Sequence, residues 1–357
     1  MRLIILLLFS ATSLSFGVYA QDSTFISQLD SMGGLDDSTK AIMTYNEGLD
    51  LMNSKKYSQA IEKFNSALTL NIGLIDARFS RGVSYMGLGS PDKAVGDWES
   101  CIKDSANYEK AYGELIGYYF NKGDYAKCSP YITKAISINP NESKYYYNKG
   151  VIHFVKNNLD SALIEYNQAI KLNGKSAYAL NDRAGVYVKL GELDKAITDY
   201  ENAVRADDKL SFVHNNLGSA YRKKELNDKA IASYDKAIAL DKEYAVAINN
   251  RGMAYFAKGE LDKAKSDFDK AISIKADYAL AYNNRASVYV QKEEWNLAVK
   301  DCNRALEIDK EYAYAYYNRA IAKEMLRDLD NACADWQKSY ELGLDAGKTH
   351  MNTWCNK

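Results

Sequence analysis

The sequence predicts an all-α solenoid, a superhelical stack of nine antiparallel helix pairs, and three observations predict it. Small residues recur at one spacing, at Gly48, Gly82, Gly150, Ala184, Gly218, Gly252, Ala286 and Ala320, each step being 34 residues or twice that. Within a 34-residue copy, apolar residues stand at positions 4, 8 and 11 and again at 20, 24 and 27, the 3–4 spacing of two amphipathic helices. The composition agrees, with 3 Pro in 357 residues, 47% hydrophobic and 26% charged.

In chain order, residues 1–20 come first. Met1-Arg2 is a short basic start, an apolar run follows, and "VYA" precedes Gln21. This reads as a secretory signal peptide, with an uncleaved membrane anchor as the alternative. The expectation is an exported protein, periplasmic or envelope-associated, with secretion the other outcome. No Cys stands at the cleavage point, which speaks against a lipid-anchored form. Residues 21–40, carrying Gly33-Gly34 and several Asp and Ser, read as a flexible leader. Nine copies then begin at 41, 75, 109, 143, 177, 211, 245, 279 and 313 and cover 41–346 without insertion. The end of the chain, 347–357, reads as a short capping helix, because the last repeat of a stack must cover its open face. The formal net charge of −1 gives no electrostatic reason to expect nucleic acid or an acidic membrane as partner.

Each copy breaks between its two apolar runs, as at "KGEL" or "LGEL". The Gly suits a helix end and the acid a helix start. Small residues at 8, 20 and 27 let the two helices approach. Bulky ones fill the space beside them, Tyr at 11 (Tyr85, Tyr187, Tyr255) and an aromatic at 24 (Phe64, Trp98, Tyr166, Trp336). This pattern resembles the tetratricopeptide repeat family. The resemblance covers about 306 of 357 residues. It implies a right-handed superhelix whose first helices line a concave face that binds a protein or peptide. The family's Pro at position 32 occurs once, as Pro140. Copy three departs further, with Ile116 at position 8 and Pro130 at position 22, which either delays or kinks its second helix. It reads as a joint in the stack.

The copies test one another at positions 7 and 23. Arg81 goes with Asp97, Arg183 with Asp199, Arg251 with Asp267, Arg285 with Asp301 and Arg319 with Asp335. Lys149 goes with Glu165, and Glu47 with Lys63 in reversed charge. Where position 7 is apolar, as Leu115 or Leu217, position 23 is uncharged, as Tyr131 or Ser233. The expectation is an ion pair bridging the two helices of one copy, rather than a row of Arg residues lining a ligand groove.

Positions 2, 5, 9 and 12 share one face of the first helix. Copies one to four place there Tyr45, Leu49, Met52, Phe79, Val83, Met86, Phe120, Tyr147, Val151 and Phe154. These suit an adaptable apolar contact, or are buried between neighbouring first helices. The second half is amide-rich. Asn181, Asn215, Asn249 and Asn283 stand at position 5. Asn46, Asn148, Asn216, Asn250, Asn284 and Asn318 stand at position 6, with Asp182 in that series. An amide can donate to and accept from an extended backbone, as the family's Asn ladders do, or bridge adjacent helices. The family's carboxylate clamp needs Asn at position 9 and Arg at position 6, and neither occurs here.

Catalysis finds no support. No metal-spaced His/Cys/carboxylate cluster and no Gly-rich phosphate loop appears, and no cofactor is expected. Cys101, Cys128 and Cys302 fall on core positions as small apolar fillers. Cys333 and Cys355 are placed to pair after export and pin the cap, with free thiols the alternative. The expected function is a non-catalytic exported scaffold for a protein or peptide. The alternatives are a structural subunit of an envelope complex and an accessory protein for envelope polysaccharide processing.

Overall fold

The computed structural model describes residues 36–355, and the expected signal peptide and most of the leader lie outside them. The described residues form helices without a strand. In order these are α1 (Asp37–Asn53), α2 (Tyr57–Leu70), α3 (Ile75–Gly87), α4 (Pro91–Asp104), α5 (Glu109–Asn121), α6 (Tyr125–Ile138), α7 (Ser143–Val155), α8 (Leu159–Leu172), α9 (Ala177–Lys189) and α10 (Leu193–Ala206). They continue with α11 (Ser211–Lys223), α12 (Asn227–Leu240), α13 (Ala245–Ala257), α14 (Leu261–Ile274), α15 (Ala279–Gln291), α16 (Trp295–Ile308), α17 (Ala313–Met325), α18 (Leu329–Glu341) and α19 (Asp345–Trp354). Odd-numbered helices up to α17 are the first helices of the nine copies, and each packs against the even-numbered helix that follows it.

The chain divides into two compact units between Pro140 and Asn141, at the end of copy three. Unit 1 holds copies one to three, and unit 2 holds copies four to nine with α19. Within unit 2, successive first helices approach one another more closely than successive second helices do, so the first-helix face lies on the inner side of that stack.

In most copies the crossing seats a bulky position-24 ring against a small position-8 residue, Gly in five of them and Ala in Ala184–Tyr200 and Ala320–Trp336. Gly218 lies so close to Tyr234 that a Cβ there would come within 2.7 Å of the ring, and Gly150 stands in the same relation to Tyr166. In two copies the small residue grows and its partner shrinks. Ala286 is matched with Cys302, and in copy three Ile116 is matched with Ile132, all four deeply buried. The helix–helix turn places position 15 at positive φ in every copy. Gly89, Gly123, Gly191 and Gly259 serve there, but so do Lys55, Asn157, Glu225, Glu293 and Arg327. Non-glycine residues carry a steric penalty in that region.

Three expectations are corrected or sharpened. The first copy's first helix starts before 41, because α1 begins at Asp37. The Asp36 side chain caps it, accepting from the Thr39 N–H at 2.7 Å. The second helix of copy three does not start late: α6 runs from Tyr125 through Pro130, with Asp124 accepting from the Lys127 N–H at its start. The cap begins at Asp345 rather than 347. It is held by the Cys333–Cys355 disulfide and by the His350 ring, stacked on Trp336 at 5.1 Å and bonded to the Tyr317 hydroxyl at 3.0 Å.

Candidate partner-binding face

The seven ion pairs form within their copies as the sequence requires. Arg285 grips Asp301 with Nε and Nη2, both at 2.7 Å, and Arg81, Arg183, Arg251 and Arg319 hold Asp97, Asp199, Asp267 and Asp335 in the same bidentate manner. Lys149–Glu165 closes at 2.6 Å and Lys63–Glu47 at 2.5 Å. The Asp residues of the five Arg pairs are buried, so the pairs belong to the fold, although Arg285 and Asp301 also line a surface cavity with Tyr282, Lys300 and Arg304. Hydrogen bonding to the buried acid of its pair raises the guanidinium pKa of Arg81, Arg183, Arg251 and Arg285 above its ordinary value.

Each Arg also makes a bond that positions 7 and 23 do not reveal. Its Nη1 reaches position 25 of the preceding copy: Arg81 to Asn65, Arg183 to Asn167, Arg251 to Asp235, Arg285 to Asp269 and Arg319 to Asn303, at 2.6–2.7 Å. Where position 7 is Leu, the preceding position 25 is Glu and a tyrosine hydroxyl replaces the guanidinium. Tyr131 donates to Glu99 at 3.0 Å and Tyr221 to Glu201 at 2.6 Å. Position 25 thus varies with position 7 of the next copy, a signal present in the sequence at a spacing of 16.

On the inner face of unit 2 the amides form a ladder between copies. The Nδ2 of Asn216, Asn250, Asn284 and Asn318 donates to the Oδ1 of Asn181, Asn215, Asn249 and Asn283 at 2.9–3.0 Å. The position-6 donors are therefore engaged inside the fold, bridging adjacent first helices, the second of the two readings the sequence left open. Asn148 is buried as well, and the Nδ2 of Asn249 is buried without a partner. The first rung differs from the rest: Tyr147 donates from its hydroxyl to Asp182 at 3.0 Å.

The apolar residues expected on the face are half-buried, seated against their own helix pairs. Tyr45, Leu49 and Met52 pack on the cluster around Phe64. Phe79 meets Tyr108 edge-on, and Phe120 meets Tyr125. Tyr147, Val151 and Phe154 pack on the cluster around Tyr166. Met86 is likewise part-exposed, while Val83 also keeps partial exposure. The more open apolar surface was missed. It is a stripe at position 2 of copies five to nine: Tyr178, Phe212, Val246, Leu280 and Tyr314. Tyr178 and Tyr314 are 52% and 56% exposed, and Tyr178 packs against Phe212 at 5.7 Å. The signal was readable, since position 2 changes from Asp76, Lys110 and Lys144 to this apolar run. Beside it, a cavity of about 580 Å³ opens at the starts of α7 and α9, lined by Tyr147, Tyr178, Lys144 and Glu142 among others.

Family models described as tetratricopeptide repeat or TPR repeat match residues 117–142, 143–176, 165–211, 218–259 and 252–292, spanning helix pairs of copies three to eight. The chain belongs to the tetratricopeptide repeat family. A domain of unknown function also matches residues 284–353. The small glutamine-rich tetratricopeptide repeat-containing protein 2 of Mycosarcoma maydis is 28% identical over 105 residues, which are 29% of this chain and 30% of that protein. The chain thus spans about three tenths of the length of this curated relative. A tetratricopeptide repeat protein of Parabacteroides merdae overlays with a TM-score of 0.56 at 23% identity, over 69% of this chain and 99% of that one. The Cut9–Hcn1 hetero-tetramer of the APC/C gives a TM-score of 0.58 at 14% identity, over 88% and 76%. At these identities the two structures speak for the fold alone.

Cys101 and Cys128 are buried, and burial pushes their thiols up to about 12 and about 11, away from a reactive thiolate. Burial pushes Cys302 in the same direction. Among the described residues, no group of three or more His, Cys, Asp or Glu could hold a metal ion.

Proposed function

We propose that this chain is a non-catalytic scaffold whose first-helix face in unit 2 captures an extended segment of a protein partner. The observation that carries this is the position-2 stripe from Tyr178 to Tyr314. It is an exposed apolar row one helical turn from a ladder of buried amides. Apolar side chains of a partner would lie on the stripe. The Oδ1 atoms of Asn250, Asn284 and Asn318 accept no hydrogen bond within the described residues, and they would meet its backbone N–H groups. The ladder holds those oxygens in fixed orientation, so little ordering cost falls on the scaffold.

Selection of a displayed random peptide library on the intact chain tests this. Selected peptides should carry spaced apolar residues. They should bind at least about tenfold more weakly to the triple variant Tyr178→Ser, Leu280→Ser, Tyr314→Ser. Recovery of no peptides, or binding indifferent to the stripe, overturns the reading.

The scaffold works outside the reducing cytoplasm. The Cys333–Cys355 disulfide supports this, since such bonds persist in oxidising compartments. Intact mass of protein from its native source should correspond to a chain starting at Gln21 with three alkylatable thiols. A chain retaining Met1 and five thiols would contradict export.

A further inference from the structure

The first rung of the ladder sets a carboxylate where every later rung has an amide. Asp182 accepts from the Tyr147 hydroxyl at 3.0 Å through Oδ2 and from Asn181 Nδ2 at 2.9 Å through Oδ1. No Lys or Arg among the described residues pairs with it. The adjacent Arg183 is engaged by Asp199 and Asn167. Asp182 keeps part of its surface open to solvent, yet burial of the rest penalises its charged form, a penalty a counter-ion would offset.

Its surroundings are tyrosine. The Tyr166 ring lies 6.1 Å from that of Tyr147. Tyr166 is fully buried, its hydroxyl has no hydrogen-bond partner, and it feels the charge of Asp182. Tyr200, 5% exposed, feels the same charge. Burial raises the pKa of all three phenols, so they remain neutral donors. One turn along α9 stands Gly185, where an added Cβ would sit 4.0 Å from the Tyr200 hydroxyl and where no side chain covers the approach. Burial also raises the Asp182 carboxyl above its ordinary value, while the bonds from Asn181 and Tyr147 pull it down. A part-exposed carboxylate without a counter-ion, set among neutral phenols and one turn from a glycine, describes a receptor for a cation.

We propose that the Asp182 carboxylate, backed by the buried Tyr166 and Tyr200 and bonded by Tyr147, is a notch that receives the basic side chain of one residue of the captured segment, a guanidinium in preference to an ammonium. This rests on the peptide-binding reading above and adds a charge requirement at one point of the face. A guanidinium fits the chemistry because its planar fork can donate to both oxygens of the carboxylate, the part-exposed member of the cluster. Tyrosine faces also attract cations, Arg more often than Lys.

Asp182→Asn is the discriminating variant, because Asn already occupies this position in copies six to nine and the rung is kept. Two probes are used on the full chain. The first is N-acetyl-argininamide against its uncharged analogue N-acetyl-citrullinamide, followed by NMR of isotope-labelled tyrosines. The Arg compound should shift the Tyr147 and Tyr200 signals saturably. The citrulline compound should not, and Asp182→Asn should weaken the response by about tenfold or more. The second is the displayed library, in which a basic residue should be enriched at one fixed distance from the apolar positions and lose that enrichment on Asp182→Asn. Apolar enrichment without a basic preference, and no response to the Arg compound, overturns the notch and leaves the peptide reading standing. A response to the Arg compound with no selected peptides does the reverse. Equal behaviour of both proteins toward both probes shows Asp182 to be a ladder rung alone.

Discussion

Arg285 holds Asp301 with two nitrogens and Asp269 of the preceding copy with a third. Arg285→Ala therefore strands a buried carboxylate, and equilibrium unfolding should show a loss of about 3–5 kcal/mol. Exchanging Arg285 and Asp301 should recover only part of it, since the new carboxylate would face Asp269. Asp182 gives the opposite sign. Its folded pKa is raised, so its contribution is fully present below the ordinary value of 3.8 and is lost as pH rises through the folded value. Asp182→Asn should melt higher than the parent at neutral pH, with the gap closing in acid. A parent that is the more stable of the two at neutral pH would contradict the buried-charge assignment. The groups facing it are Asn181, Tyr147, Tyr166 and Tyr200, none of them cationic. At exposed position 15, Glu225→Gly should stabilise by about 1 kcal/mol, because φ is +61° there and glycine bears no Cβ penalty. Thermal or chemical unfolding reads that directly.

At the scale of the helix, most of the pattern was legible. The 3–4 spacing and the turn place the helix pairs of all nine copies to within a few residues, and the size exchange between positions 8 and 24 accounts for Ile116 against Ile132. Three features escaped. The start of α1 depends on one Asp36–Thr39 hydrogen bond, which carries no periodic signal. The amide ladder joins position 6 to position 5 of the preceding copy, a spacing of 35 that falls outside both the helical and the repeat periods. The position-2 stripe was visible as a change of residue type but sits at a helix start, where exposure cannot be inferred from periodicity. Helix α19 makes its own prediction. Its disulfide closes a loop with a sequence separation of 22, so Cys355→Ser should cost about 3 kcal/mol and be felt first in faster amide exchange across Asp345–Trp354.

At the scale of the molecule, no copy has a private core: the buried Ala, Tyr and Leu residues are shared between neighbouring pairs. A fragment of residues 245–312 would lose both outer interfaces and should melt well below the intact chain, without its sharp transition. Equal melting would refute the shared-interface account. The bond from position 7 to the preceding position 25 also distributes stiffness along unit 2. Copies five, seven, eight and nine are tied backward by an arginine that joins three helices at once. In copy six a phenol takes that place, Tyr221 on Glu201, beside the Asn216–Asn181 rung and the Lys224–Asp194 ion pair. The step from copy five to copy six thus keeps its backward tie without a guanidinium, so from copy five onward the inner face is held at every step whatever residue stands at position 7.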